Sequence, residues 1–173
     1  MNEEGALAVL KRGMNTEVWG QRFYKQAAAR TQAADGQRVF ESLVDEEGKH
    51  IAILRREYGR ISGQEITLEQ TLAMASAIAP TEIFPQATAA ERLIPIGATD
   101  EQALEMAMAF ERRGFELYEA QAQKAESITE KRMWEFLAKS ENSHFAFLQE
   151  THEYLTSNGV WYFDEQEFPI FYN

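Results

Sequence analysis

Residues 141–148 read ENSHFAFL, and residues 47–54 read EGKHIAIL. Both stretches lie inside runs whose apolar residues recur at helical spacing. In both, a Glu and a His three residues apart fall on the stripe that should be apolar. In the second of four such runs the inward stripe reads Phe40, Leu43, Glu47, His50 or Ile51, and Leu54; in the fourth it reads Trp134, Leu137, Glu141, His144 and Leu148. The first and third runs carry one interruption each. Their stripes read Leu7, Leu10, Met14, Glu17, Gln21, Tyr24 and Leu104, Met108, Glu111, Phe115, Tyr118.

These interruptions are in register. A constant shift of 94 positions maps Glu17 onto Glu111, Tyr24 onto Tyr118, Glu47 onto Glu141 and His50 onto His144 without a gap. The same shift pairs Met14 with Met108, Gly20 with Gly114, Leu43 with Leu137, Ala52 with Ala146 and Leu54 with Leu148. The chain is therefore an internal repeat of two helical hairpins. Packed about a pseudo-twofold axis, the two copies bring four carboxylates and two imidazoles to one depth in the core.

Length and composition agree with this reading. A chain of 173 residues with 45% hydrophobic content can bury one sizeable core, and no linker divides it, so one domain spanning 1–173 is expected. Of four prolines, Pro80, Pro85 and Pro95 cluster centrally and leave both flanks free for long helices. The fold class is all-α: an antiparallel four-helix bundle of two hairpins joined by a long crossover. The first hairpin covers 4–58, with a helix over 4–31, a break at AADGQ, and a second helix ending near Tyr58 and Gly59. The crossover covers 59–99 and contains a short helix opened by Thr67 with Gln70. The second hairpin covers 100–157: Thr99 with Gln102 opens a helix over 100–125, and Ser127 with Glu130 opens one over 128–156. An aromatic tail, 158–173, is expected to pack on the bundle or on a partner subunit.

The chain has no cysteine, which excludes disulfides, thiolate catalysis, cysteine-ligated zinc and iron–sulfur or rubredoxin-type iron. Its amino terminus lacks the pattern of a secretory signal and no stretch approaches a membrane span, so a cytoplasmic, membrane-free protein is expected. A formal net charge of -11 argues against nucleic acid as a partner. Most of the acidic residues are read as a solvated surface.

The buried carboxylates need another account. An unpaired buried carboxylate costs several kcal/mol, and four together also repel. No Lys or Arg lies on the inward stripes at that level, so metal cations are the natural counter-charge. Oxygen and imidazole donors without sulfur suit iron, manganese or zinc better than magnesium or calcium. Glu-x-x-His places both donors on one helical face, so the pair can grip one ion while its carboxylate reaches a second.

With this doubled pattern the chain resembles the ferritin-like di-iron carboxylate proteins, and within them the rubrerythrin-like group. The resemblance spans the four helices, the crossover with EIFPQ and the aromatic tail. It implies two iron ions per chain, with manganese or zinc as alternatives. Glu17 and His50 would be terminal ligands of one ion, Glu111 and His144 of the other, and Glu47 and Glu141 would bridge. Tyr24 and Tyr118, seven residues beyond the terminal Glu, would hydrogen-bond the opposite half's ligand carboxylates or serve as ordinary core tyrosines.

Two departures from the group stand out. Rubrerythrins append a rubredoxin iron centre, which a chain without cysteine cannot hold, so electrons must come from another protein or a small reductant. Rubrerythrins also carry an extra carboxylate one turn along the third helix, where this chain has Gly114. That departure argues against peroxidase-type movement of iron. The resemblance implies an oxidoreductase that reduces hydrogen peroxide or O2 or oxidises Fe(II), working as a homodimer. Three alternatives stand beside it: a hydroxylase of the demethoxyubiquinone type, manganese catalysis, and a non-enzymatic iron-binding, storage or structural metal protein. The crossover stretch LAMASAIAP is read as core or dimer contact, or as the apolar face a hydroxylase would need. His152 is read as a surface residue, and Met14, Met106 and Met108 as core or its margin.

Overall fold

The computed structural model describes residues 3–164 and 166. Four long helices, α1 (Glu3–Arg30), α2 (Ala34–Ser62), α5 (Asp100–Lys124) and α6 (Ile128–Asn158), flank two short ones, α3 (Leu68–Ala75) and α4 (Pro80–Ile83). There is no β-strand among the described residues, whose only β-type pairing is an isolated bridge between Ala89 and Arg92. The three-residue connections 31–33 and 125–127 are too short for anything but antiparallel neighbours, so α1 packs along α2 and α5 along α6. The result is an all-helical bundle of two hairpins. No helix among the described residues is long and apolar enough to cross a membrane.

Local chemistry explains the helix starts. Thr67 and Thr99 each accept from the backbone N–H three residues on, and Gln70 and Gln102 close both capping boxes from the other side. Ser127 caps α6 through the Glu130 N–H at 3.1 Å, but the box stays open because the Glu130 carboxylate instead accepts from Trp134 Nε1 at 3.5 Å. Two helices run further than expected. Gly59 stays helical and α2 ends at Ser62, because Gly63 is the residue that adopts the left-handed conformation (φ 66°). Likewise α6 runs to Asn158, where Gly159 (φ 70°) caps it.

The core divides into two apolar clusters along the bundle axis. Trp19, Phe23, Tyr24, Phe40, Leu43, Phe84, Leu93, Phe110 and Leu148 form one. Leu10, Met14, Leu54, Tyr118, Trp134 and Leu137 form the other. On every long helix the chain passes from one cluster to the other through its Glu or Glu-x-x-His, so the polar level lies between two apolar ones. Each large side chain fully buried there contributes roughly 1.5–3 kcal/mol.

The stripe on α5 differs from the expected one: Leu104, Ala107, Glu111, Gly114 and Tyr118 are buried, whereas Met108 and Phe115 are only partly so. Three- and four-residue steps are both helical, and the close contact made possible by small residues at 107 and 114 selected this register. Met14 is fully buried, and Met106 and Met108 lie at the margin of the core. In the crossover, Ala75 and Leu72 pack on Val18 and Ile51 outside the first hairpin, so LAMASAIAP contributes core contacts. Phe84, Leu93 and Ile94 from the same segment enter the larger cluster.

The described part of the tail also packs on the bundle. Trp161 meets Phe40 edge-on with ring centroids 5.7 Å apart, and its Nε1–H donates to Asp100 Oδ2 at 2.9 Å. Most of the remaining tail lies outside the described residues. Trp161→Ala, which loses apolar burial and a hydrogen bond to a carboxylate, is expected to lower the unfolding free energy by about 1–3 kcal/mol. Urea denaturation would measure this, and an unchanged midpoint would mean that the tail is not part of the cooperative fold.

Candidate metal centre

Each long helix delivers its polar interruption to the same place. Glu17 comes from α1, Glu47 and His50 from α2, Glu111 from α5, and Glu141 and His144 from α6. None of the six is more than 1% exposed. They form two overlapping groups, Glu17–Glu47–His50–Glu141 and Glu47–Glu111–Glu141–His144, and within each group one donor atom per residue lies within 4.8 Å of the others. Glu47 and Glu141 belong to both groups. The six residues singled out in the sequence therefore converge.

The distances leave room between the donors. His50 Nδ1 lies 3.2 Å from Glu141 Oε1, 3.5 Å from Glu47 Oε2 and 3.6 Å from Glu17 Oε2. His144 Nδ1 lies 3.5 Å from Glu111 Oε2 and 3.8 Å from Glu141 Oε2. The two imidazole rings face each other at 5.5 Å. Among the described residues, the four carboxylates form ion pairs with these imidazoles and with no lysine or arginine.

Around this ring, hydrogen bonds fix the side chains. Tyr118 O–H donates to Glu17 Oε1, and Tyr24 O–H donates to Glu111 Oε1. Each tyrosine thus holds a carboxylate of the opposite half by one oxygen and leaves the other facing the cluster. His50 Nε2 meets Ser140 Oγ at 2.8 Å, which turns Nδ1 toward the carboxylates. Ser140 was not singled out in the sequence, although its place directly before Glu141, on the side of α6 that faces α2, was a usable signal. Its counterpart one repeat earlier is Glu46, also buried and paired with Lys49 Nζ at 2.6 Å. His152 lies outside the cluster, with Nε2 3.6 Å from Glu105 Oε1, and is partly buried rather than a free surface residue.

The donor set fits a cation. Glu17 Oε2, Glu111 Oε2, both oxygens of Glu47 and Glu141, and His50 Nδ1 are buried and make no hydrogen bond. So many unsatisfied acceptors aimed at a common centre are what a bound metal would satisfy. Gly114 adds to the fit, because a Cβ there would sit 3.1 Å from Glu141 Cδ and so the glycine leaves room for that carboxylate.

Without a metal, protons must supply the positive charge. Burial, with the Glu141 charge adding to it, pushes the Glu17 carboxyl up to about 7. Burial and the neighbouring carboxylates Glu17 and Glu141 likewise push Glu47 and Glu111, respectively, well above the ordinary range. For His144, burial favours the neutral ring, but Glu111 and Glu141 outweigh it and raise the imidazole to about 10. His50 rises in the same way, with Glu141 the main counterweight to burial. Glu141 is opposed by burial but lies between both imidazoles, and their charges hold it below the usual carboxylate range.

These shifts give a signed pH dependence. Glu17 is raised on folding from 4.5 to about 7, so its stabilising contribution is complete below 4.5 and is lost as pH rises through about 7. Glu47, Glu111 and the two histidines act in the same direction, and the opposite contribution of Glu141 is already complete above its ordinary pKa. Metal-stripped protein is therefore expected to lose about 5 °C or more in Tm between about pH 5 and pH 8. Metal-loaded protein should not, since the metal displaces those protons. Calorimetry of chelated and loaded samples checks both.

No family model matches the chain, and no curated protein matches it. Among solved structures, a hypothetical protein from Pyrococcus furiosus superposes with a TM-score of 0.66 over 88% of this chain and 90% of its own, at 22% identity. At that identity the likeness shows a shared helical fold.

Proposed function

We propose that the chain is a ferritin-like dinuclear metal protein of the rubrerythrin-like group, most simply a di-iron oxidoreductase that reduces hydrogen peroxide or O2 or oxidises Fe(II). The observation that carries this reading is the pair of overlapping four-residue groups sharing Glu47 and Glu141, sealed between two apolar clusters. Glu17 and His50 would hold one ion, Glu111 and His144 the other, and the shared carboxylates would bridge. Carboxylate and imidazole donors without sulfur favour iron or manganese, with zinc also accommodated.

Bound iron would supply one electron at each ion, so a pair offers two electrons to one oxidant. The chain's own residues do the rest. Tyr24 and Tyr118 anchor the terminal carboxylates, and Ser140 holds the His50 ring. Gly114 leaves Glu141 space to change its position as charge changes. The apolar clusters exclude water and strengthen each electrostatic contact within the site. Reducing equivalents would come from a separate protein or a small reductant, since the chain has no cysteine with which to hold a rubredoxin-type iron.

Metal analysis of protein from iron-supplemented cells tests the reading. About two iron ions per chain are expected, and they should be lost from the Glu47→Ala, Glu141→Ala double variant. Sustained turnover with peroxide or O2 would support the oxidoreductase. Iron uptake without turnover would assign the protein to storage or structure, and absence of bound transition metal would remove the proposal. In addition, Gly114→Ala pushes a methyl group against Glu141 and is expected to weaken metal retention by roughly 10-fold in chelator competition, comparable to other losses of ligand support.

A further inference from the structure

A sealed dinuclear site needs a route for electrons, and one set of contacts provides it. Tyr118, which donates to Glu17 Oε1, stacks on Trp134 with ring centroids 5.6 Å apart and planes at 22°. Trp134 Nε1–H in turn reaches Glu130 Oε1 at 3.5 Å, and Glu130 is partly exposed in the first turn of α6. Phenol and indole are the aromatic side chains most readily oxidised by one electron. For Trp134, Glu130 is the carboxylate positioned to take the proton that leaves on oxidation.

The other half of the repeat lacks this arrangement. Tyr24 also donates to a ligand carboxylate, Glu111, but the ring stacked on it at the position equivalent to Trp134 is Phe40, at 6.3 Å and 25°. Phenylalanine has no acidic proton and is far harder to oxidise. Phe40 also shows that packing at this position is met without an indole. Tryptophan thus stands directly against the tyrosine on this side, whereas on the other the nearest tryptophan, Trp161, lies beyond Phe40.

We propose that Trp134 and Tyr118 form the electron inlet of the metal centre, carrying single electrons from an external one-electron reductant, such as ascorbate, to the Glu17 side of the site; this inference rests on the dinuclear reading above. Hydrogen peroxide takes two electrons and two protons to become two waters. Where bound metal would supply only one of these electrons, Trp134 would supply the other through the Tyr118 ring stacked on it, and the indole proton would pass to Glu130. One electron from the external reductant restores Trp134, which recovers its proton from Glu130. The net transfer is one electron from the metal pair and one from the reductant, with two protons drawn from solvent.

The test is freeze-quench electron paramagnetic resonance of partly reduced, iron-loaded protein mixed with hydrogen peroxide. Samples carrying ring-deuterated tryptophan or tyrosine assign the radical. The wild type is expected to give an organic radical whose hyperfine structure narrows with deuterated tryptophan. Trp134→Phe copies the residue at the equivalent position and should fold and bind iron normally. It should move the radical onto tyrosine and slow reduction of the ferric site by ascorbate several-fold, whereas Trp161→Phe should change neither. Iron oxidation by peroxide with no tryptophan or tyrosine radical, or a Trp134→Phe protein with unchanged radical and reduction rate, overturns the inlet and leaves the metal reading standing. A wild type that binds no iron overturns both.

Discussion

Four carboxylates held at one depth of a buried core, where they repel one another and, among the described residues, pair with no lysine or arginine, are the constraint around which this molecule is built. A packed apolar layer would be easier to form at that level. The chain instead gives up one position on each of two helices and two on each of the others. It then surrounds the result with groups that keep it in place: two tyrosines on Glu17 and Glu111, a serine on one imidazole, and a glycine beside Glu141. Protons on the histidines and on most of the carboxylates stand where a cation would stand. Hence the electrostatics of this level depend on pH.

The duplicated pattern accounts for convergence, because both hairpins carry their polar interruptions at the same steps along their helices. The differences between the copies are equally informative. Gly20 and Gly114 are equivalent, yet a Cβ at Gly20 would lie 2.4 Å from Phe110 Cζ, whereas one at Gly114 would meet the Glu141 carboxylate. Ser140 supports His50 while its counterpart Glu46 is drawn to Lys49. Trp134 replaces Phe40. Each change alters what surrounds one half of the cluster without disturbing the six central residues, so the two halves offer inequivalent environments.

Much of this was legible in the sequence because helical periodicity is strict and charged residues are rarely buried. Glu17, Glu47, His50, Glu111, Glu141 and His144 stood out as violations of an apolar stripe, and the constant spacing between copies showed that the violations face one another. Their hydrogen-bonded tyrosines followed from the same face. Less legible were features that depend on a choice between near-equal alternatives. Gly59 and Gly63 are both plausible helix stops, and Met108 and Ala107 are both plausible stripe positions on α5.

By itself, then, the sequence determined the helical class, the hairpin duplication and the identity of the clustered residues, since all three follow from spacing along one chain. Tertiary structure alone decided which atoms meet. That Ser140 holds His50, that Gly114 makes room for Glu141, and that Tyr118 stacks on Trp134 where Tyr24 stacks on Phe40 are consequences of how one helix face approaches another. Distances across a packed interface depend on side-chain volumes and rotamers from several helices together, and no periodicity within a single helix encodes them.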